Sequence, residues 1–302
     1  MTTTSTTAPA GAPARAASPR AAAVRTLLRN RLAVAALVVL ALLLVAAVFA
    51  PLIAPADPNA QDLLARLRPP AWERGGSGAH LLGTDQLGRD MLSRVIYGTR
   101  VSLLVGASAA LLAGVIGTVV GLASGYLGGW PDRVLMRLAD VQLAFPAILL
   151  ALAIVGFLGS GLWYVILVLG ITGWVSYARV VRSEVLSLRS RDFVVEARAI
   201  GVTDTAIMRR HLLPNVMAPL ATIGTLHIAA AIVAEASLSY LGLGVPKETV
   251  TWGSMLADGQ LYLGTSWWVA VFPGVALMVT SLAVNITGDA LRDVADPKAY
   301  RR

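Results

Sequence analysis

VSLLVGASAALLAGVIGTVVGLASGYLGGWP, residues 101–131, contains no aspartate, glutamate, lysine or arginine. Four other stretches share this property, at 32–56, 141–178, 211–234 and 259–288. A helix that crosses a bilayer needs about 20 consecutive apolar residues, and each of these stretches is long enough. The sequence therefore predicts an all-α integral membrane protein.

The composition argues against other classes of protein. Of the 302 residues, 56% are hydrophobic and only 14% are charged, whereas an ordinary soluble domain has about 25% charged residues. The net charge of +8 does not indicate nucleic-acid binding, because the basic residues lie between the apolar stretches, as topology signals do. A soluble enzyme, a nucleic-acid-binding protein and a fibrous protein are thus disfavoured. The absence of cysteine excludes disulfides, Cys-ligated zinc and thiol chemistry.

Six membrane spans are predicted. The stretch 141–178 is too long for one helix, and the glycines at 156, 159 and 161 predict a turn that divides it. A further helix is predicted at 84–100, before the second span, with Thr84 or Asp85 as its N-cap. The spans are predicted at 32–53, 101–127, 141–156, 163–181, 215–240 and 269–287.

The chain is predicted to divide into four parts. Most of its 25 lysines and arginines lie on the side that would carry both termini, which predicts cytoplasmic termini. The first apolar stretch exceeds the roughly 7–15 residues of a cleaved signal peptide, which favours a retained span, although small residues at 50–54 leave cleavage open. The parts are a disordered cytoplasmic tail at 1–24, a first span with an extracytoplasmic or interfacial segment at 25–100, a core of five spans at 101–290, and a cytoplasmic tail at 291–302.

The charged loop at 182–213 of the core is the most informative segment. Its pattern predicts two short amphipathic helices, at 193–200 and 205–212, with Gly201 ending the first and Thr203 or Asp204 capping the second. Such a loop could dock on another protein, or it could be a solvated basic loop that only fixes topology. Composition alone leaves both interpretations open.

The second half of this loop resembles the EAA loop in permease subunits of bacterial ABC importers. That motif is Glu-Ala-Ala, three residues, Gly, nine residues, and Ile-x-Leu-Pro. Gly201, Leu213 and Pro214 match it at the required spacing, whereas His211 stands at the isoleucine position. The resemblance implies that the loop couples the membrane spans to an ATPase.

The first half of the loop departs from the motif. Val195 stands at the position of the motif glutamate, Glu196 stands at that of the first alanine, and only Ala197 matches. The residues that the resemblance assigns to the coupling loop are Val195, Glu196, Ala197, Gly201, Asp204, Arg209, Leu213 and Pro214.

Further motifs resemble the "C" subunits of dipeptide and oligopeptide permeases. They are GTDQLGRD at 83–90, EASLSYLGLG at 235–244, and the ending with Asn285, GD at 288–289 and DP at 296–297. This resemblance implies a type I ABC importer permease with six spans, which forms half of a pathway for di- or oligopeptides. Systems for nickel, glutathione or another small solute share the motifs, so the substrate stays open.

The resemblance also implies the other subunits of the transporter. Such a permease works in the bacterial inner membrane with a second homologous permease, two cytoplasmic ATPases and an extracytoplasmic solute-binding protein, and it binds no nucleic acid. ATP and Mg²⁺ are expected on the ATPases. Neither of the two lysines, Lys247 and Lys298, lies in a Gly-x-x-x-x-Gly-Lys-Ser/Thr motif, so no cofactor, metal or catalytic residue is expected on this chain.

Several polar residues in or near the spans have two interpretations each. Glu235 could serve transport, or it could be a helix-end carboxylate bonded to the next turn. His227 could face the pathway or pack between helices, and Gln142 and Asn285 could line a cavity or cross-link helices.

The charged set around Asp85 and Arg89, which also includes Asp90 and Arg94, has i, i+4 spacing. It could contact another subunit, or it could pair with itself on a helix at the membrane surface. The place of this region in the family motif favours a subunit contact.

Two rival functions are disfavoured. An ion-coupled secondary transporter would be expected to have acids in mid-span, and the first four predicted spans have none. An intramembrane serine protease needs a nucleophile beside a base, yet His227 is the only histidine in the predicted spans and the sequence has no Gly-x-Ser-x-Gly.

Overall fold

The structure is a computed structural model that describes residues 30–246 and 248–295. No β-strand occurs in this part of the chain, and a π-helical turn, Met208–Leu212, joins two of its helices. The predicted tail at 1–24 and residues 296–302 of the other predicted tail lie outside it. The helices are α1 (Arg31–Val48), α2 (Ala50–Ile53), α3 (Met91–Leu127), α4 (Gly129–Leu143), α5 (Ala147–Leu158), α6 (Leu162–Leu188), α7 (Asp192–Ala199), α8 (Asp204–Ile207), α9 (Leu213–Tyr240), α10 (Trp252–Gly259) and α11 (Trp268–Ala295).

The helices confirm the predicted all-α membrane fold. Five helices are long and apolar enough to cross a bilayer: α1, α3, α6, the continuous helix Asp204–Tyr240, and α11 up to Asp293. Helices α4 and α5 pass the same test only when they are taken together, so the described residues hold five candidate spans, or six where this bent pair counts as one span. We call the end of the bundle that carries residues 55–90 the segment end, and the end that carries residues 189–212 the loop end.

The helix predicted at 84–100 is misplaced. It begins at Met91, where the Asp90 carboxylate accepts a hydrogen bond from the Ser93 N–H at 2.8 Å, and it continues without a break to Leu127. Thr84 and Asp85 lie in the preceding turn instead of capping the helix, because Asp85 accepts the Arg89 N–H there at 2.9 Å. The boundary predicted at 100/101 therefore falls inside one helix.

The third predicted span, at 141–156, is also different. Its helix begins earlier, at Gly129, and α4 and α5 meet at an angle of 89°. Pro146 stands just before α5, and a proline cannot continue a helix because it lacks the N–H and its ring clashes with the previous turn. The predicted turn after Gly156 is confirmed, since α5 ends at Leu158.

Helix α3 packs very closely on α6 through glycine. A Cβ atom on Gly117 would lie 2.4 Å from the Tyr177 Cβ and 2.5 Å from the Trp174 carbonyl oxygen, and one on Gly121 would lie 2.7 Å from the Ala178 carbonyl oxygen. Lipid tails are as apolar as leucine, so helices in a bilayer associate mainly through such close van der Waals contact. This contact sets the geometry at both ends of the bundle.

The segment end is held by buried tryptophans. The Trp268 indole N–H donates to the Thr84 carbonyl oxygen at 2.9 Å, and the Trp252 indole N–H donates to the Val95 carbonyl oxygen at 3.0 Å. Both side chains belong to an apolar cluster that includes Met91. Residues 55–90, which we call the segment, therefore pack onto α3, α10 and α11.

Replacing Gly117 by alanine is expected to destabilise the bundle, because the added methyl group meets backbone atoms that cannot rotate away. We expect a loss of about 1–3 kcal/mol, the usual cost of overpacking a core, seen as a lower melting temperature of the purified protein in nanodiscs. Gly156→Ala is the matched control, since a Cβ there meets nothing within 4 Å. Equal melting temperatures for the two variants would contradict this account of the contact.

Candidate functional site

The first short helix of the loop, α7, ends in a Schellman motif. The Val202 N–H donates to the Ala197 carbonyl oxygen at 3.0 Å, and the Gly201 N–H donates to the Arg198 carbonyl oxygen at 3.1 Å. Gly201 has a φ of +82°, which side chains with a Cβ rarely adopt. The predicted glycine stop is thus present, and α7 covers the predicted helix at 193–200 to within one residue at each end.

Helix α7 has one buried and one exposed apolar face. Val194 and Ala197 are buried against the bundle. On the exposed face, Val195 is 55% exposed and Ile200, which directly follows the helix, is 80% exposed. Glu196 is exposed as well. Large apolar side chains beside charged groups at the surface are typical of a contact site for another protein.

The buried face rests on the loop ends of three long helices. Val194, Ala197 and Ile207 pack in one cluster with residues of α3, α6 and α9. Within it, the Tyr126 hydroxyl of α3 donates to the Asp204 carboxylate at 2.6 Å. The Arg198 guanidinium lies 5.1 Å from the centre of the Tyr126 ring, within reach of a cation–π contact. The loop is therefore fixed to the bundle rather than solvated on all sides.

The second predicted helix, at 205–212, is not a separate helix. It begins at Asp204, after Thr203 in the N-cap position, continues through the π-helical turn, and runs directly into α9. Pro214 lies in the first turn of α9, and the Asn215 side chain donates to the His211 carbonyl oxygen at 2.6 Å. The surface at α7 and α8 thus leads straight into a membrane span.

The structure brings most of the predicted coupling residues to this loop end. Arg209 and Pro214 are exposed, and Leu213 packs at the edge of the buried cluster. The exposed Phe193 ring lies 6.3 Å, between centroids, from that of His211, the residue at the motif's isoleucine position.

Gln142 cross-links helices. Its side-chain N–H group donates to the Thr172 carbonyl oxygen at 2.7 Å, and its side-chain oxygen accepts the Trp174 indole N–H at 2.7 Å. Both partners are on α6, so the amide holds the bend between α4 and α5 against that helix. Of the two interpretations of Gln142, the structure supports the cross-link.

The other polar residues of the spans lie among helices. His227 stacks on Tyr177 of α6, with 4.6 Å between ring centroids. Glu235 is fully buried and accepts the Ser239 hydroxyl at 2.7 Å, which is the predicted bond to the next turn. Asn285 is half-buried on α11.

The set around Asp85 and Arg89 is buried at the segment end instead of lying on a surface helix. The Arg89 Nε donates to the Asp85 Oδ2 at 2.6 Å, and the Arg94 Nε lies 3.5 Å from the same oxygen. All three side chains are less than 10% exposed. Asp258 of α10, which no sequence motif indicated, lies 3.4 Å from the Arg89 Nη2.

A second ion pair, at the loop end, was not predicted from the sequence. Asp132 of α4 accepts two hydrogen bonds from Arg182 of α6, at 2.6 and 2.7 Å, and also bonds the Ser124 hydroxyl of α3. The two charges are 50 residues apart in sequence, so no local spacing could have paired them. Across residues 30–246 and 248–295, no three histidine, aspartate or glutamate side chains are grouped closely enough to hold a metal ion.

Two family models match the chain. The one described as "Binding-protein-dependent transport system inner membrane component" matches residues 117–300, more than half of the sequence. The chain belongs to this family. The model described as the "N-terminal TM domain of oligopeptide transport permease C" matches residues 18–70 of the permease.

Curated relatives cover nearly the whole permease. It is 43% identical over 281 residues to a putative peptide transport system permease protein of Brucella abortus, with 93% of each chain covered. It is 42% identical to the di/tripeptide transport system permease protein DppC of Pseudomonas aeruginosa, with 89% of each chain covered. The oligopeptide transport system permease protein OppC of Bacillus subtilis is 37% identical, with 89% of the permease and 86% of the relative covered.

Solved structures agree on the fold. The permease matches the inward-facing MetNI methionine ABC transporter with a TM-score of 0.55 at 22% identity, over 68% of the permease and 97% of that chain. A second crystal form gives a TM-score of 0.56. The predicted type I ABC importer fold is confirmed.

The Tyr126–Asp204 hydrogen bond is expected to stabilise the loop. Tyr126→Phe and Asp204→Ala should each lower the free energy of unfolding by about 1 kcal/mol, and the double variant should lose little more than either single variant, because both remove the same bond. Chemical denaturation of the protein in detergent measures this. Fully additive losses would show that the two groups do not interact.

Proposed function

We propose that this chain is a permease subunit of an ATP-driven importer of short peptides and forms half of its translocation pathway. The exposed apolar face of α7, fixed by its other side to α3, α6 and α9, is the observation that supports coupling to an ATPase. The named functions of relatives at 37–43% identity support a peptide as the solute.

In this proposal the loop end faces the cytoplasm, and α7 seats on one of two ATPases. ATP and Mg²⁺ bind to those subunits, and no chemical step takes place on the permease. Closure of the ATPases displaces α7 and α8, and the uninterrupted helix Asp204–Tyr240 carries the displacement through the membrane. Such rigid-body movement of packed helices is a usual way to switch access between two sides.

The proposal includes two further partners. A second, homologous permease supplies the other half of the pathway. A solute-binding protein delivers the peptide at the segment end, on the opposite side of the membrane. The permease itself lies in the bacterial inner membrane with both termini in the cytoplasm.

Gly201→Val tests the coupling role. Valine at a φ of +82° costs at least about 1–2 kcal/mol, so the end of α7 and the exposed Ile200 should shift. We expect a fall of about five- to tenfold in ATP-driven dipeptide uptake by the complete importer in proteoliposomes. Assembly with the other subunits should remain normal, as size-exclusion chromatography would show.

Gly201→Asn is the matched control, because asparagine adopts positive φ more readily than other residues that carry a Cβ. A Cβ at this position meets no atom within 4 Å, so a clash of the Cβ does not separate the two variants, whereas their tolerance of positive φ does. Uptake that is unchanged in Gly201→Val, with normal assembly, would refute the coupling role of this loop.

Orientation can be tested with single cysteines, since the chain has none of its own. Ala79→Cys at the segment end and Ile200→Cys at the loop end both occupy exposed positions. In intact spheroplasts, a membrane-impermeant maleimide should label position 79 and should label position 200 only after lysis. Labelling of position 200 in intact cells would reverse the proposed orientation.

A further inference from the structure

A cavity of about 800 Å³ with several charged residues in its lining lies at the segment end. It is bounded by the segment, the beginning of α3, the end of α9 and helix α10. Cavities of about 300–1,000 Å³ are the usual size of small-molecule sites. Its lining includes Gln86, Arg89, Arg94, Glu248 and Asp258.

Two buried guanidinium groups form one wall of the cavity. Arg94 is only 2% exposed and Arg89 only 7%. Both contact the same Asp85 carboxylate oxygen, the Arg89 Nε at 2.6 Å and the Arg94 Nε at 3.5 Å. Asp258 lies 3.4 Å from the Arg89 Nη2, so Arg89 has two carboxylate partners, whereas Arg94 has, in the described part of the chain, only the Asp85 carboxylate that it shares with Arg89. Burying a guanidinium group with so little compensation is costly, and a further anion would lower that cost.

An unused hydrogen-bond donor points to the same conclusion. The Arg94 Nη1 donates to the Pro58 carbonyl oxygen at 3.2 Å, but the Arg94 Nε has no hydrogen-bond partner among the residues that the structure describes. Buried polar atoms are nearly always bonded, so an exception needs an explanation. A ligand carboxylate would supply the missing acceptor.

Acceptors occupy other parts of the same cavity. The Asp258 side chain is 31% exposed, and Glu248 is exposed. The Gln86 Oε1 is buried and, within 30–246 and 248–295, also lacks a partner. The cavity thus offers positive groups at a buried wall and negative groups where it opens. Two acids at the opening would repel a phosphate dianion but would attract an ammonium group.

We propose that this cavity binds a short zwitterionic peptide, with its carboxylate toward Arg94 and Arg89 and its ammonium group toward Asp258 and Glu248. The proposal rests on the proposed function, and it names a permease site for the two charged ends of the solute. Gln86 accepts a hydrogen bond from a peptide N–H in this arrangement.

The test uses the assembled complex of both permeases and both ATPases in nanodiscs, without the solute-binding protein. Radiolabelled dialanine is the probe, and N-acetyl-dialanine and dialanine amide are the competitors. We expect each blocked peptide to compete about tenfold less well than dialanine, since each loses one charge-assisted interaction. Equal competition by all three peptides would overturn the proposal.

Substitutions then assign the ammonium end. Glu248→Gln, which leaves the Asp258–Arg89 ion pair intact, should weaken dialanine binding about tenfold and leave N-acetyl-dialanine binding unchanged. Asp57→Asn is the matched control, because it removes a negative charge at the segment end outside this cavity. An equal loss in the control would overturn the proposal. Gln86→Leu, which alters no charge, should weaken both peptides.

A separate measurement distinguishes this proposal from the proposed function. ATP-driven uptake of dialanine by wild-type proteoliposomes supplied with the solute-binding protein tests the function alone. Uptake without charge-selective binding refutes only the cavity proposal, whereas charge-selective binding without uptake refutes only the import function.

Discussion

The close contact between α3 and α6 is the constraint on which the rest of the structure depends. Gly117 and Gly121 let the two backbones approach to distances that no side chain would allow. Because lipid gives no hydrophobic drive for helix association, this contact must supply the rigidity on which other elements rest. The loop-end cluster is built on residues of both helices, including Tyr126 of α3 and Val181 of α6. Any loss of the contact would therefore also change the position of α7.

Helix bends and continuities decide how the loop is connected to the spans. The nine residues directly before α9 form α8 and the π-helical turn, and no break separates them from the fifth predicted span. The pair α4 and α5 is the opposite case, since the two helices meet at 89° beside Pro146 and Gln142 fixes the bend to α6. One connection from the loop end is thus an unbroken helix, and the neighbouring one is bent and bonded to α6. Movement of the loop is expected to follow the unbroken helix.

The sequence predicted the class of fold and most of the loop, because apolar length and the Gly201 stop are local signals. It failed where the outcome depends on distant residues. Asp132 pairs with Arg182, 50 residues away, and Asp258 approaches Arg89, 169 residues away. The helix start at Met91 was missed for a related reason: Thr84 is a good N-cap residue, but its carbonyl is bound by Trp268 of α11 and its hydroxyl by the Ala65 carbonyl. Tertiary bonds overrode a local preference.

The charged cavity and the loop lie at opposite ends of the same two helices. Helix α3 runs from Arg94 in the cavity wall to Tyr126 under the loop, and the continuous helix Asp204–Tyr240 runs from the loop to the cavity. Each has 37 residues and so spans about 55 Å at 1.5 Å per residue. A ligand that neutralises Arg94 alters the balance of charge at one end of a rigid element whose other end holds the Asp204 carboxylate. Coupling between sites is reciprocal, so under the two proposals an ATPase on the loop and a solute in the cavity should change each other's affinity by the same factor.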